Sequence, residues 1–83
     1  SEFVPIKNYD EIILGKHGLY LDEGGGGLLL PQVATEHKMN LEQFLSAICN
    51  KSGFYSDFWK ERMLKLKVFT AEIFSEEEKE KKL

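Results

Sequence analysis

Four consecutive glycines, Gly24 to Gly27, separate the triplet Leu19-Tyr20-Leu21 from the triplet Leu28-Leu29-Leu30. An apolar pattern that breaks at glycine and resumes at once points to a hairpin. In its first arm Leu19 and Leu21 share one face and Tyr20 takes the other. A turn of four glycines leaves the register of such a hairpin loosely specified. Pro31 suits the end of the second arm, because it has no N–H to give to a ladder. The same glycines invite a phosphate-loop reading, which needs strand, glycine loop and then helix. Here Asp22 and Glu23 precede them, a leucine-rich strand follows, and no Lys-Ser/Thr pair comes after. The flexible hairpin is therefore the reading retained.

The rest of the chain reads as α+β. Residues 1–10 form an entry segment, and Glu11-Ile12-Ile13-Leu14 reads as a short strand stopped by Gly15-Lys16-His17-Gly18. A main helix is expected over 41–52. Asn40 supplies its N-cap, Gln43 the capping-box partner, and Gly53 the stop. Leu41, Phe44, Leu45, Ile48 and Cys49 follow the i, i+3, i+4, i+7, i+8 rule and make one apolar stripe. Phe54, Tyr55, Phe58 and Trp59 then crowd together, and Ser56 or Asp57 can cap a short second helix reaching Arg62.

Residues 64–74 read as a long C-terminal strand whose apolar face switches at Phe69. Such a switch requires either a bulge or cover that moves from one face to the other. A domain over 1–75 and a charged tail over 76–83 complete the organisation. Within the tail, Glu77–Lys81 and Glu78–Lys82 would support a solvated helix.

Composition narrows the function classes. A chain of 83 residues is expected to bury only about 60–65% of the surface that its unfolded form exposes. Its single cysteine cannot close an internal disulfide, which favours a reducing, cytoplasmic location. No apolar run approaches a membrane span, and no leader opens the chain. The net charge is −3, the wrong sign for a dedicated nucleic-acid binder. Lys60, Arg62, Lys65 and Lys67 near Phe58 and Trp59 could stack bases and hold phosphates. Glu61 interrupts them, however, so a solvated face explains them better.

A metal or nucleophilic site would have to draw on His17, Glu36, His37 and Cys49, whose spacing matches no recurrent zinc pattern. No metal and no cofactor are expected. Cys49 lies on the helix stripe, where a cysteine acts as a small hydrophobe; a thiol reachable from a cleft is the alternative. His17 sits between Gly15 and Gly18, as a satisfied turn residue or as a ring presented to a site.

The run Gly15-Lys16-His17-Gly18-Leu19-Tyr20-Leu21, followed by Gly27-Leu28-Leu29-Leu30-Pro31-Gln32-Val33 and Glu36, is more distinctive than any spacing. It continues with Phe44-Leu45, Cys49-Asn50-Lys51-Ser52-Gly53, Trp59 and Phe69-Thr70-Ala71-Glu72-Ile73-Phe74. Together these resemble the C-terminal portion of the AMMECR-type domain, named for the AMME syndrome chromosomal region.

The resemblance implies an α+β domain about twice this length, whose first half carries a Leu-Arg-Gly-Cys-Ile-Gly motif absent here. That motif holds the cysteine most often suspected of chemistry, so no nucleophile transfers to this chain. The activity of the family is not established. Its association with Memo-like and radical-SAM-like proteins suggests a cysteine-dependent modification or redox pathway without giving a mechanism. Protein–protein interaction is the alternative, and an RNA-binding regulatory role a more distant one.

On this resemblance the expected partner is the missing N-terminal half of the domain or another copy of the chain, with a Memo-like protein as a further candidate. The matching residues that would face a cleft are His17, Gln32, Glu36 and Cys49. For Gln32 the alternative is a side chain that satisfies loop backbone groups, and for Glu36 an exposed carboxylate rather than an acid or base. The glycine turn and Lys38-Met39 depart from the family pattern.

Overall fold

A computed structural model describes residues 2–70. Four short strands form one antiparallel sheet: β1 (Val4–Pro5), β2 (His17–Leu21), β3 (Leu28–Leu29) and β4 (Leu66–Thr70), in the order β1-β4-β2-β3. Helices α1 (Pro31–Glu36) and α2 (Leu41–Lys51) follow β3. The buried stripe of α2, Phe44, Leu45, Ile48 and Cys49, packs with Leu19, Leu21, Leu29, Leu64, Leu66 and Val68 into one core. The α+β class and its antiparallel hairpin are thus present.

The main helix begins as its sequence requires. The Gln43 N–H donates to Asn40 Oδ1 at 2.8 Å, and the Asn40 N–H donates to Gln43 Oε1 at 2.9 Å. Its last helical residue is Lys51, with Ser52 as C-cap and Gly53 at a φ of +93°.

Four expectations need correction. Residues 11–14 are not a strand. Asn8 caps a 3-10 turn over Tyr9–Glu11, and the Glu11 carboxylate accepts from the Lys7 and Asn8 N–H groups. Cap chemistry there outweighs a three-residue apolar run, turning Ile12 inward and leaving Ile13 and Leu14 exposed. Pro31 does not simply close a strand; it occupies the first turn of α1, where its missing N–H and fixed φ suit a helix start. The aromatic cluster forms only a 3-10 turn at Phe58–Lys60 rather than a helix to Arg62. One cause is the Tyr9 hydroxyl, which lies 2.9 Å from the Trp59 and Arg62 carbonyls and accepts the Leu64 N–H, pinning that segment. Ser56 donates to Asn50 Oδ1 instead of capping.

The fourth correction concerns the glycine turn, whose register is firmly held. The Gly25 N–H donates to the Ser52 carbonyl at 2.8 Å, and the Gly27 N–H to Ser52 Oγ at 2.9 Å. Ser52 is itself buried. A Cβ on Gly27 would stand 2.5 Å from Ser52 Oγ, so the turn is glycine because it lies on the end of α2.

Among the described residues the face switch at Phe69 involves no bulge. Pairing with β2 is continuous from Leu66↔Leu21 to Thr70↔His17, and the Phe69 ring is covered on the outer side by Phe3, 4.9 Å between ring centroids. The expected extension of this strand over 71–74 and the tail over 76–83 lie outside the described residues.

Beside the turn, Glu23 joins the hairpin to the segment leading into β4. Its carboxylate accepts from Arg62 Nη1 at 3.0 Å and Nη2, and from the Lys65 N–H at 2.8 Å. The Arg62 hydrogen bonds, aided by the Lys65 N–H, hold its pKa at about 2. With a folded value below the ordinary 4.5, this group contributes stability above 4.5 that fades as pH falls toward 2. Urea midpoints measured across that window should fall for the native chain. They should fall less for Glu23→Gln, and parallel curves would show that the ion pair is silent. Arg62 is half exposed, so water screens its share and the effect is expected to be modest.

Candidate functional site

The two faces of the sheet have different fates. Inward side chains form rungs across β2 and β4: Leu21 with Leu66, Leu19 with Val68, then His17 with Thr70. The first two rungs belong to the core; the third is polar and half-buried. At that end a cavity of about 360 Å³ opens among Glu2, Val4, His17, Val68, Phe69 and Thr70.

The outer face is apolar as well. Phe3 sits edge-on to Tyr20, 5.7 Å between centroids, and tilts against Phe69. Leu28 pairs with Tyr20 and shares its side. Leu30 lies two residues further along extended backbone, on that same side. Phe3 is 45% exposed, Leu28 39% and Leu30 40%. The sheet thus carries apolar side chains on the face away from its helix, which a half-solvated antiparallel sheet ordinarily fills with polar ones. Gly18 makes this possible, because the Phe69 ring occupies the space a side chain would need.

Among the four residues singled out from sequence, only His17 lines this cavity. Its Nδ1 accepts the Ile13 N–H at 3.0 Å. Burial, together with the adjacent Lys16, holds its pKa below the ordinary imidazole value, while the Glu11 carbonyl pulls the other way. Cys49 is fully buried, and burial pushes its thiol up, away from the thiolate form. Gln32 and Glu36 stand on α1, half-buried and exposed respectively. The arrangement does not gather the four into one constellation. Among the described residues no group of three His, Cys, Asp or Glu side chains is placed to hold a metal ion.

The basic cluster is largely paired. Arg62 meets Glu23, Lys67 approaches Asp22 at 3.8 Å, and Lys60 approaches Asp57 at 3.9 Å. Lys60 also lies over the Trp59 ring, 5.5 Å from its centroid. Sequence reasoning missed Thr70, whose pairing with His17 no spacing reveals, and it missed the Phe3–Tyr20–Phe69 surface. The signal for that surface was the face switch at Phe69. The three leucines of the second arm divide between the faces, with Leu29 in the core and Leu28 and Leu30 exposed. No described helix is long and apolar enough to cross a membrane.

The AMMECR1 family model matches residues 1–74. Protein Ta0236 of Thermoplasma acidophilum is 46% identical over 68 residues, covering 81% of this chain and 33% of the relative. Protein PF1979 of Pyrococcus furiosus is 43% identical over 74 residues, covering 88% and 35%. The crystal structure of the uncharacterized protein PH0010 from Pyrococcus horikoshii superposes with a TM-score of 0.76 at 33% identity, covering 84% of this chain and 37% of that one. The chain therefore spans about a third of the length of these relatives. Motif, sequence relatives and fold agree, and the chain belongs to the AMMECR1 family.

Proposed function

We propose that this chain is a docking wall: its outer sheet face packs against the remaining polypeptide of an AMMECR1-family protein, and its inner face brings His17 to a shared cleft. The observation that carries this reading is the exposed apolar row of Phe3, Leu28 and Leu30 around Tyr20 and Phe69. Exposed apolar surface of this kind, on an ordered sheet, marks an interaction site. The occupant follows from length. The relatives carry roughly two further lengths of chain beyond the matched third, and that polypeptide is the occupant assigned to this face.

A cysteine-dependent modification remains compatible with this role only with a thiol supplied from outside the chain, since Cys49 is sealed in the core. A Memo-like protein or a second copy of the chain is a rival occupant of the same face.

The test is a calorimetric titration of the chain with the remaining two-thirds of an AMMECR1-family protein. Leu28→Asp should weaken binding at least about tenfold, the range expected when an anchoring side chain is replaced by a charge. Leu28 is already 39% exposed, so the urea midpoint should fall only modestly and leave the variant folded for the titration. Equal affinity of the variant, or tighter binding of a Memo-like protein or of the chain to itself, would overturn the assignment.

A further inference from the structure

The first two inward rungs of β2 and β4 are apolar, and the third, His17 with Thr70, is where the row turns polar. This polar rung opens onto a cavity that Val4 and Val68 also line. We propose that His17 serves there as a fixed hydrogen-bond donor, presenting Nε2–H to an uncharged amide carbonyl, as in a peptide, rather than acting as a base or a metal ligand.

The argument starts from the backbone. An amide N–H can only donate, so the ring nitrogen 3.0 Å from the Ile13 nitrogen must accept. A neutral imidazole with Nδ1 as acceptor carries its proton on Nε2. The surrounding loop keeps the ring in this orientation. The Ile13 carbonyl accepts from the His17 N–H at 2.9 Å and the Lys16 N–H at 3.1 Å, closing a tight turn on the same residue. Gly15, at a φ of +84°, lets this turn lie against Thr35 of α1. With Nδ1 committed, neither nitrogen offers a free lone pair, so proton abstraction or metal ligation would first have to break the Ile13 bond.

The ligand class follows from the neighbours. Glu2 lines the cavity and disfavours an anion. The Glu11 carbonyl lies against the ring as an acceptor for its N–H, the contact that a ligand carbonyl would share or replace. The apolar lining by Val4 and Val68 suits a neutral group with a small hydrocarbon part. An amide carbonyl combines both, and the Thr70 hydroxyl across the rung can accept the N–H of the same amide or donate a second bond to its oxygen. This assignment is independent of what covers the outer face.

Nitrogen-15 NMR of the free chain should find Nδ1 as the unprotonated, hydrogen-bonded nitrogen and Nε2 as the protonated one. N-methylacetamide, the smallest probe of an amide carbonyl, should shift the Nε2–H signal saturably, and acetate should do so less. His17→Asn is the informative variant. Its side-chain oxygen can still accept from the Ile13 N–H, so the fold should persist, but its amide cannot reach the Nε2 position. Perturbation of the Thr70 signals by the probe should fall severalfold in that variant. Zinc ion alone should leave the His17 signals in place.

A proton on Nδ1, a metal bound at His17, or no response to N-methylacetamide would overturn the proposal. A probe response undiminished by His17→Asn would overturn it too. Protonation turns Nδ1 into a donor and removes the partner of the Ile13 N–H. The stability this bond gives is therefore present above the ordinary value of 6.5 and declines as pH falls below it.

Discussion

Replacing Gly18 by alanine should destabilise the chain by about 2–3 kcal/mol, toward the upper end for overpacking by one methyl group. A Cβ at this position would overlap the Phe69 ring and stand 2.7 Å from the Leu29 carbonyl oxygen. The ring can swing, but the carbonyl is part of β3 and cannot withdraw without disturbing the β2–β3 pairs Leu19↔Leu29 and Tyr20↔Leu28. Swinging Phe69 has its own consequence, because Phe3 rests on that ring and on Tyr20. The variant should therefore lose stability and outer-face order together. That would be read as a lower urea midpoint and altered Phe3 and Tyr20 ring signals. Gly25→Ala is the control, since a Cβ there meets the Ser52 carbonyl at 3.2 Å with nothing closer. A Gly18→Ala protein as stable as its parent would mean that Phe69 does not lie over β2, and the apolar outer face would lose its central support.

Position 18 also shows what a sequence discloses and what it withholds. The helix over 41–52 was legible to within one residue because its cap, its stripe and its stop are all local. The hairpin was legible because glycine between apolar triplets has few other meanings. Its tight register was not, for the partner of Gly27 is Ser52, twenty-five residues away. The helix at Pro31–Glu36 was hidden by reading Pro31 through strand chemistry alone, although proline suits the first turn of a helix equally well. The 3-10 turn at Tyr9–Glu11 carried a visible signal in Asn8 and Glu11, a capping pair that a short apolar run had overshadowed.

The candidate site was less legible than the fold, and for a physical reason. Of the residues grouped by the family resemblance, Cys49 faces the core because the helix stripe puts it there. That periodicity was already the better guide to its role. His17 does reach a cavity, yet its chemistry is set by the Ile13 N–H, a backbone group that no side-chain pattern announces. The switch at Phe69 was the one long-range signal present in the sequence. It meant that a second apolar face existed, and that Phe3, in what looked like an entry segment, is one of its members. An anomaly in periodicity pointed more surely to a second apolar surface than the choice of reactive residues pointed to a site.

The core gives the largest expected effect. Phe44 is the largest fully buried side chain among the described residues, where α2 meets the sheet. Phe44→Ala should cost about 3–5 kcal/mol, combining lost transfer energy with the cavity left behind. A chain of 83 residues has a total stability of roughly 4–12 kcal/mol at 0.05–0.15 kcal/mol per residue. The variant should thus lie near or below the edge of folding by itself, with a weak or absent cooperative transition in urea. The docking proposed for the outer face changes that expectation. A partner that binds only the folded chain adds about 2.7 kcal/mol when present at one hundred times its dissociation constant. Adding the remaining two-thirds of an AMMECR1-family protein should therefore restore a cooperative transition to Phe44→Ala, but not to the double variant that also carries Leu28→Asp. A loss below about 1 kcal/mol for Phe44→Ala, far under the range for a fully buried phenylalanine, would contradict the core as described. Equal rescue of the single and double variants would place the partner on some other face.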